Sequence, residues 1–180
     1  ECDLAGQYDY DSLLGLVKVG LQRDVGVDFR RRPTDDDAEV VPFSQALTVW
    51  QVYCSALSCG YSGIPNTHWE PLARLVLSAM YEATLWAGVL NAAAGGAPHC
   101  HEVFLTFLGG GVFRNEPEWI CAAIGRALAV ANTQRAPITV YVCHYGRVDG
   151  GLAGRVDGEF HRQVALLDAQ RGTTTRGTNT

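Results

Sequence analysis

The block Phe104–Asn115, F-L-T-F-L-G-G-G-V-F-R-N, constrains the fold more than any other stretch of the chain. Val103–Leu108 is apolar apart from Thr106, which predicts a strand buried on both faces of a parallel sheet. Three glycines follow, and Asn115 stands where it can cap a helix, with Pro117 in the first turn and Glu118 at the capping-box position. Glycine lets the backbone take positive φ and lets a ligand approach closely. The N–H groups of such a turn, together with a helix N-terminus, favour an anion. The block is not a Walker A loop, because no Gly-Lys-Ser/Thr follows it. Arg114 also falls where a G-x-G-x-x-G motif begun at Gly109 needs its third glycine. Spacing alone leaves two readings open, a phosphate cradle and a tight turn that binds nothing.

The remaining pattern extends this unit in both directions. Leu13–Leu21 reads as a strand, Gln22–Pro42 as a polar mobile loop, and Thr48–Leu57 as a second, largely buried strand. Gly60–Thr67 is loop-like, with Thr67 and Glu70 as a possible capping box. Apolar residues from Leu72 to Leu90 recur at helical spacing, and Asn91–Gly96 ends that helix. Ile120, Ala123, Ile124, Ala127, Leu128 and Ala131 make the inner stripe of the next helix. Ile138–His144 reads as a fourth strand, Glu159–Gln170 as a short helix, and Arg171–Thr180 as a frayed tail. Alternation of this kind gives a layered α/β domain, whose ligand site lies beyond the carboxyl ends of its strands.

Composition removes several alternatives. The net charge of −5 argues against a nucleic-acid partner. Lys18 is the only lysine, so basic charge is carried by arginine, through codon bias or through a preference for bidentate anion binding. No apolar run reaches membrane-spanning length, and the first residues lack the basic and apolar regions of a signal peptide, so no membrane partner is expected. The six cysteines include no C-x-x-C, which points to a reducing compartment and a cytoplasmic location. His99-Cys100-His101 is a metal-like fragment, but consecutive loop residues do not readily close a tetrahedral site. No metal or cofactor is expected.

The glycine block with its continuation, F-L-T-F-L-G-G-G-V-F-R-N-E-P-E-W-I-C-A-A-I, resembles the diphosphate-binding segment of macrodomains. It is most similar to the divergent MavL-like ADP-ribosylhydrolase group, which carries an L-T-x-L-G-G-G-x-F-G-N block. Val19–Asp24, V-G-L-Q-R-D, resembles that group's V-G-x-H-x-D, and Gln51–Ser62 resembles its central strand. Ala73–Leu85 and Val89–Ala93 resemble its long helix and the exit from it. The resemblance implies a macrodomain-like three-layer α/β/α fold with a mixed, largely parallel sheet, in a single domain over residues 1–170. The family's upstream block has no counterpart, so an upstream part of the domain is expected to be lacking. The implied partners are ADP-ribose or ADP-ribosylated protein. The implied activity is removal of ADP-ribose from arginine-linked substrates, ubiquitin among them; the alternative is a non-catalytic ADP-ribose-binding module.

By the same resemblance, Gly109, Gly110, Gly111 and Val112 would offer backbone N–H groups to the diphosphate. Phe113 would pack on the ribose beside the scissile bond, and Asn115 would cap the helix behind the loop. Tyr145 would face the adenine side, or simply be a half-buried tyrosine at a strand end. Arg114 departs from the family's glycine; it is strained if the position needs positive φ, and otherwise adds a cation near the diphosphate. Hydrolysis of the glycosidic bond needs a carboxylate to steer water or to stabilise developing positive charge. Asp24 is the first candidate, because it matches the family's aspartate just beyond the first strand, and Asp28 is the second. Asp35, Asp36 and Asp37 read as a solvated acidic run.

Overall fold

The computed structural model describes residues 9–27, 29–31, 38–40, 47–95, 98–144 and 150–174. The chain is a mixed α/β protein. Its elements in order are α1 (Tyr10–Leu16), β1 (Gly20–Val27), β2 (Phe29–Arg31), β3 (Ala38–Val40), β4 (Leu47–Tyr53), α2 (Asn66–Ala94), β5 (Glu102–Thr106), α3 (Pro117–Thr133), β6 (Thr139–Cys143) and α4 (Gly150–Thr174). The strands pair two by two: β1 with β4 and β2 with β3 antiparallel, β5 with β6 parallel. Among the described residues the parallel character expected of the sheet is therefore confined to β5–β6.

The core forms where α2 and α3 cover the inner face of β5–β6. Leu77 and Leu85 of α2 and Ile120 and Ile124 of α3 are its largest fully buried side chains. Burying each stabilises the fold by about 1.5–3 kcal/mol. α2 is long and apolar enough to cross a membrane by length and composition, yet Ala73, Leu77, Tyr81 and Leu85 belong to the core cluster shared with α3. It ends as the sequence suggests, with Gly95 at φ +63° donating its N–H to the Asn91 carbonyl. Its start differs: the helix begins at Asn66 after Pro65, and no side chain caps it, so Thr67 and Glu70 do not form a capping box.

Three other expectations change for identifiable reasons. The apolar run from Leu13 contains a short helix, not a strand, because the Asp9 carboxylate accepts from the Ser12 N–H and fixes an N-cap. The supposed loop after Gln22 carries the rest of β1 and the β2–β3 pair; the β1–β4 ribbon is largely exposed, so it needs no apolar alternation to declare itself. β5 alternates and is not buried on both faces: Val103 and Leu105 point into the core, while Phe104 is 62% exposed and stacks on Tyr141 with ring centroids 4.9 Å apart. The last helix is also longer than the stretch expected, because glycines such as Gly151, Gly154 and Gly158 dilute the helical pattern of its first half. It continues through Thr174, so residues 171–174 are helical and not frayed.

Candidate functional site

The glycine loop leaves the carboxyl end of β5, beside the carboxyl end of β6, since Thr106 and Cys143 are register partners. Tyr81 of α2 fixes its first residues. The phenol donates to the Thr106 carbonyl at 2.9 Å and accepts the Leu108 N–H at 2.8 Å. Burial pushes that phenol's pKa up, so it stays a neutral donor–acceptor bridge. Gly109 then takes φ +79°, and a Cβ there would lie 2.5 Å from the Ala56 side chain, so both conformation and space require glycine.

Within the loop the Gly110, Arg114 and Asn115 N–H groups are used internally, on the Phe107, Gly111 and Gly109 carbonyls. Among the described residues the N–H groups of Gly109, Gly111, Val112 and Phe113 have no hydrogen-bond partner. Successive free N–H groups in a turn make a concavity suited to an anion. Arg114 sits at φ +54°, in the left-handed region that costs a side-chain-bearing residue. Its side-chain stem lies over Gly60, and its guanidinium has no hydrogen-bond or ion-pair partner among the described residues.

Asn115 has a different task from the one expected of it. The helix N-cap is Glu116, with Pro117 at the first helical position, and no side chain caps α3. The Asn115 side chain is buried, and its amide donates to the Leu57 carbonyl at 2.7 Å and toward the Gly109 carbonyl at 3.4 Å. It clasps the loop to the segment that follows β4, leaving its own Oδ1 without a partner among the described residues.

That segment is the part of the site missed in the sequence, where Gly60–Thr67 reads as a loop and Gln51–Ser62 as resembling a central strand. The Gly60 N–H donates to the Phe113 carbonyl at 2.9 Å, and a Cβ on Gly60 would lie 2.4 Å from the Val112 carbonyl oxygen. Tyr61 sets its ring edge-on to Phe113, with centroids 5.8 Å apart. Asn66 opens α2 and donates to the Arg114 carbonyl and to the Glu116 carboxylate. The signal available was Gly60 itself, a glycine between Cys59 and Tyr61 outside any turn dipeptide, which marks close backbone approach.

Asp24 lies within β1, not beyond it. It occupies a bulge between Gln22 and Val25, where it takes φ +53°, a conformation aspartate tolerates better than most residues. The Trp50 indole N–H reaches its carboxylate at 3.3 Å, and the Arg23 guanidinium lies over the same indole at 4.8 Å. Among the described residues no hydrogen bond or ion pair joins Asp24 to the glycine loop. Asp28, the acidic run Asp35–Asp37 and Tyr145 lie outside the described residues.

Cys59 is buried just behind the loop, and burial raises its thiol pKa, so it is poorly suited to act as a thiolate nucleophile. A cavity of about 510 Å³ lies between α3, β6 and α4, lined by Leu128, Ile138, Val140, Leu152 and Phe160 and by His144. It is mostly apolar, with Asn132 and Asp157 as its other polar lining residues, and it does not include the glycine loop. Among the described residues no group of three or more His, Cys, Asp and Glu side chains is placed to hold a metal ion. No protein-family model matches the chain, and no curated protein or solved structure matches it.

Proposed function

We propose that the chain binds ADP-ribose, as a divergent macrodomain of the MavL-like group with a three-layer α/β/α fold. The diphosphate rests on the backbone of residues 109–113. The observation that carries this reading is the set of unpartnered N–H groups at Gly109, Gly111, Val112 and Phe113, followed in the chain by Arg114, whose guanidinium is unpaired among the described residues. Neutral donors and one cation suit a diphosphate diester, whose two charges need both hydrogen bonds and partial neutralisation. Their position at the carboxyl ends of parallel strands supports the same assignment. Calorimetric titration with ADP-ribose is the test. A folded chain that releases no heat and shows no melting shift at millimolar ADP-ribose would rule the reading out.

A second reading adds hydrolysis of ADP-ribose from arginine on a modified protein such as ubiquitin. It is favoured by Asp24, whose carboxylate is held by an indole N–H and remains exposed to substrate and water. In that reaction water attacks the anomeric carbon, the C–N bond to the guanidine breaks, and the departing nitrogen takes a proton. Asp24 steers the water and receives its proton. The substrate must bring the anomeric carbon to Asp24 while its diphosphate sits on the loop. Incubation with arginine-ADP-ribosylated ubiquitin decides the matter: release by the parent chain, lost in Asp24→Ala with ADP-ribose affinity intact, supports hydrolysis. No release from a chain that binds ADP-ribose leaves a binding module.

A further inference from the structure

The cavity between α3, β6 and α4 has no part in the diphosphate site. Ile138, Val140, Val142 and His144 alternate along one face of β6 and its exit, so they line the cavity over roughly 20 Å at the usual rise of a strand. Leu152, Val156 and Phe160 recur at four-residue spacing on α4 and line it from the helix side. α4 is seated on α3, where a Cβ on Gly125 would lie 2.7 Å from Glu159 Cγ, and that seat leaves a volume of about 510 Å³ over β6. Volume of this size, mostly apolar and with a few polar groups, is what small-molecule sites share. The lining divides by exposure. Ala131 and Leu152 are buried, whereas Asn132, His144 and Asp157 are exposed, so the polar groups lie on the side that meets solvent. Among the described residues the lining holds no lysine or arginine, and Asp157 is its one acid. The Asp157 carboxylate stands 3.6 Å from the His161 imidazole, too far for a hydrogen bond, and keeps its capacity to accept one.

We propose that this cavity is a second ligand site, independent of the glycine loop, for a small single-headed amphiphile: an alkyl chain lies along β6, and a primary ammonium head donates to Asp157. The long apolar lining of β6 suits an extended chain, whose burial removes both its own surface and that of the cavity from water. The charge of the lining sets the head. A cationic or hydrogen-bond-donating group meets an acceptor at Asp157, whereas a carboxylate would meet a like charge and find no cation among the described lining residues. At an exposed position such as Asp157 the charge selects among heads, and the chain supplies most of the affinity.

The experiment is calorimetric titration of the parent chain, Ala153→Phe and Asp157→Asn with butylamine, hexylamine, octylamine, octanol and octanoate at neutral pH. The expected result is saturable binding of octylamine to the parent, with affinity rising about two- to fourfold per methylene along the amines. Octylamine should bind about two- to fivefold more tightly than octanol, and octanoate more weakly than either. Ala153 lines the cavity from an exposed position, so Ala153→Phe should fill space, keep the parent's melting temperature and weaken octylamine by about 10- to 15-fold, the contribution of two methylenes kept out. Asp157→Asn should bring octylamine to within about twofold of octanol and leave octanol unchanged. If Ala153→Phe melts early, Asp157→Asn alone decides, because it changes no volume. Octylamine that fails to saturate the parent, octanoate that binds as tightly as octylamine, or octylamine affinity unchanged in Asp157→Asn or in a folded Ala153→Phe would overturn the assignment.

Discussion

Replacing Arg114 separates the cost of the loop's backbone from the benefit of its charge. Arg114 holds φ +54°, where a residue with a Cβ is disfavoured by about 1–2 kcal/mol and glycine is not. Arg114→Gly relieves that strain but gives the unfolded chain more freedom, which offsets about 0.4–1 kcal/mol. Arg114→Ala removes the same guanidinium and keeps the strain. The glycine variant should therefore be more stable than the alanine variant by about 0.5–1 kcal/mol, the reverse of the order seen in helices. Both lose the Arg114 cation, and at an exposed site a charge-assisted hydrogen bond to the ligand contributes about 1 kcal/mol, so both should bind ADP-ribose about fivefold more weakly. Urea unfolding reads the first quantity and calorimetry at two salt concentrations the second; the parent's affinity should fall more steeply with salt than either variant's. An alanine variant as stable as the glycine one would show that the left-handed backbone carries no more strain than the entropic offset of about 0.4–1 kcal/mol. Parent-like affinity in both would show that the guanidinium does not face the ligand.

Other expectations follow from individual contacts. Asn115→Ala should destabilise the domain by about 2–3 kcal/mol, measured by chemical denaturation, because it leaves the Leu57 carbonyl without its buried donor. Tyr81→Phe should lower ADP-ribose affinity more than its loss of about 1–2 kcal/mol in stability would suggest, since the phenol positions both Thr106 and Leu108 at the loop's entrance; an unchanged Kd would contradict that role. Leu77→Ala should cost about 2–5 kcal/mol by the same denaturation assay, as Leu77 is fully buried between the central helices and the sheet. Burial raises the Glu159 carboxyl, but hydrogen bonds from Arg162 and Gln163 and the charges of Arg162 and Arg74 outweigh it and hold the pKa below the ordinary range. Its stabilising contribution is thus complete above the ordinary carboxylate pKa and lost as pH falls through the lowered one, and Glu159→Gln should flatten that acid limb in pH-dependent melting.

The sequence revealed those parts of the molecule where one strong local signal has one structural meaning. α2 and α3 declare themselves by apolar spacing, Gly95 by its place after the apolar stripe, and the parallel β5–β6 pair by flanking helices. The glycine loop was legible because Gly109 is required twice, by conformation and by the Ala56 contact. What was not legible depends on distant partners. The role of Asn115 changed from capping to clasping because the Leu57 carbonyl lies within reach, a fact no local pattern encodes. Likewise Gly60, Tyr61 and Asn66 become part of the site only once the segment after β4 folds onto the loop. β1 was obscured for the opposite reason: a largely exposed strand has little apolar code to read, and Asp24 takes its backbone from a bulge set by pairing with β4.

The clasp between Leu57 and Asn115 joins positions 58 apart, and the Asn66–Arg114 bond joins positions 48 apart. Contacts so distant in sequence form only after the intervening chain, including all of α2, has been gathered in, and that closure carries an entropic cost. A peptide spanning residues 104–116 would hold every glycine of the motif and still lack the cradle. Ligand occupancy is consequently a reporter of completed folding: a ligand at a hundred times its Kd adds about 2.7 kcal/mol to the whole domain, not to the loop alone. Amide exchange in the buried cores of α2 and α3 should slow on binding, although neither helix core touches the phosphate.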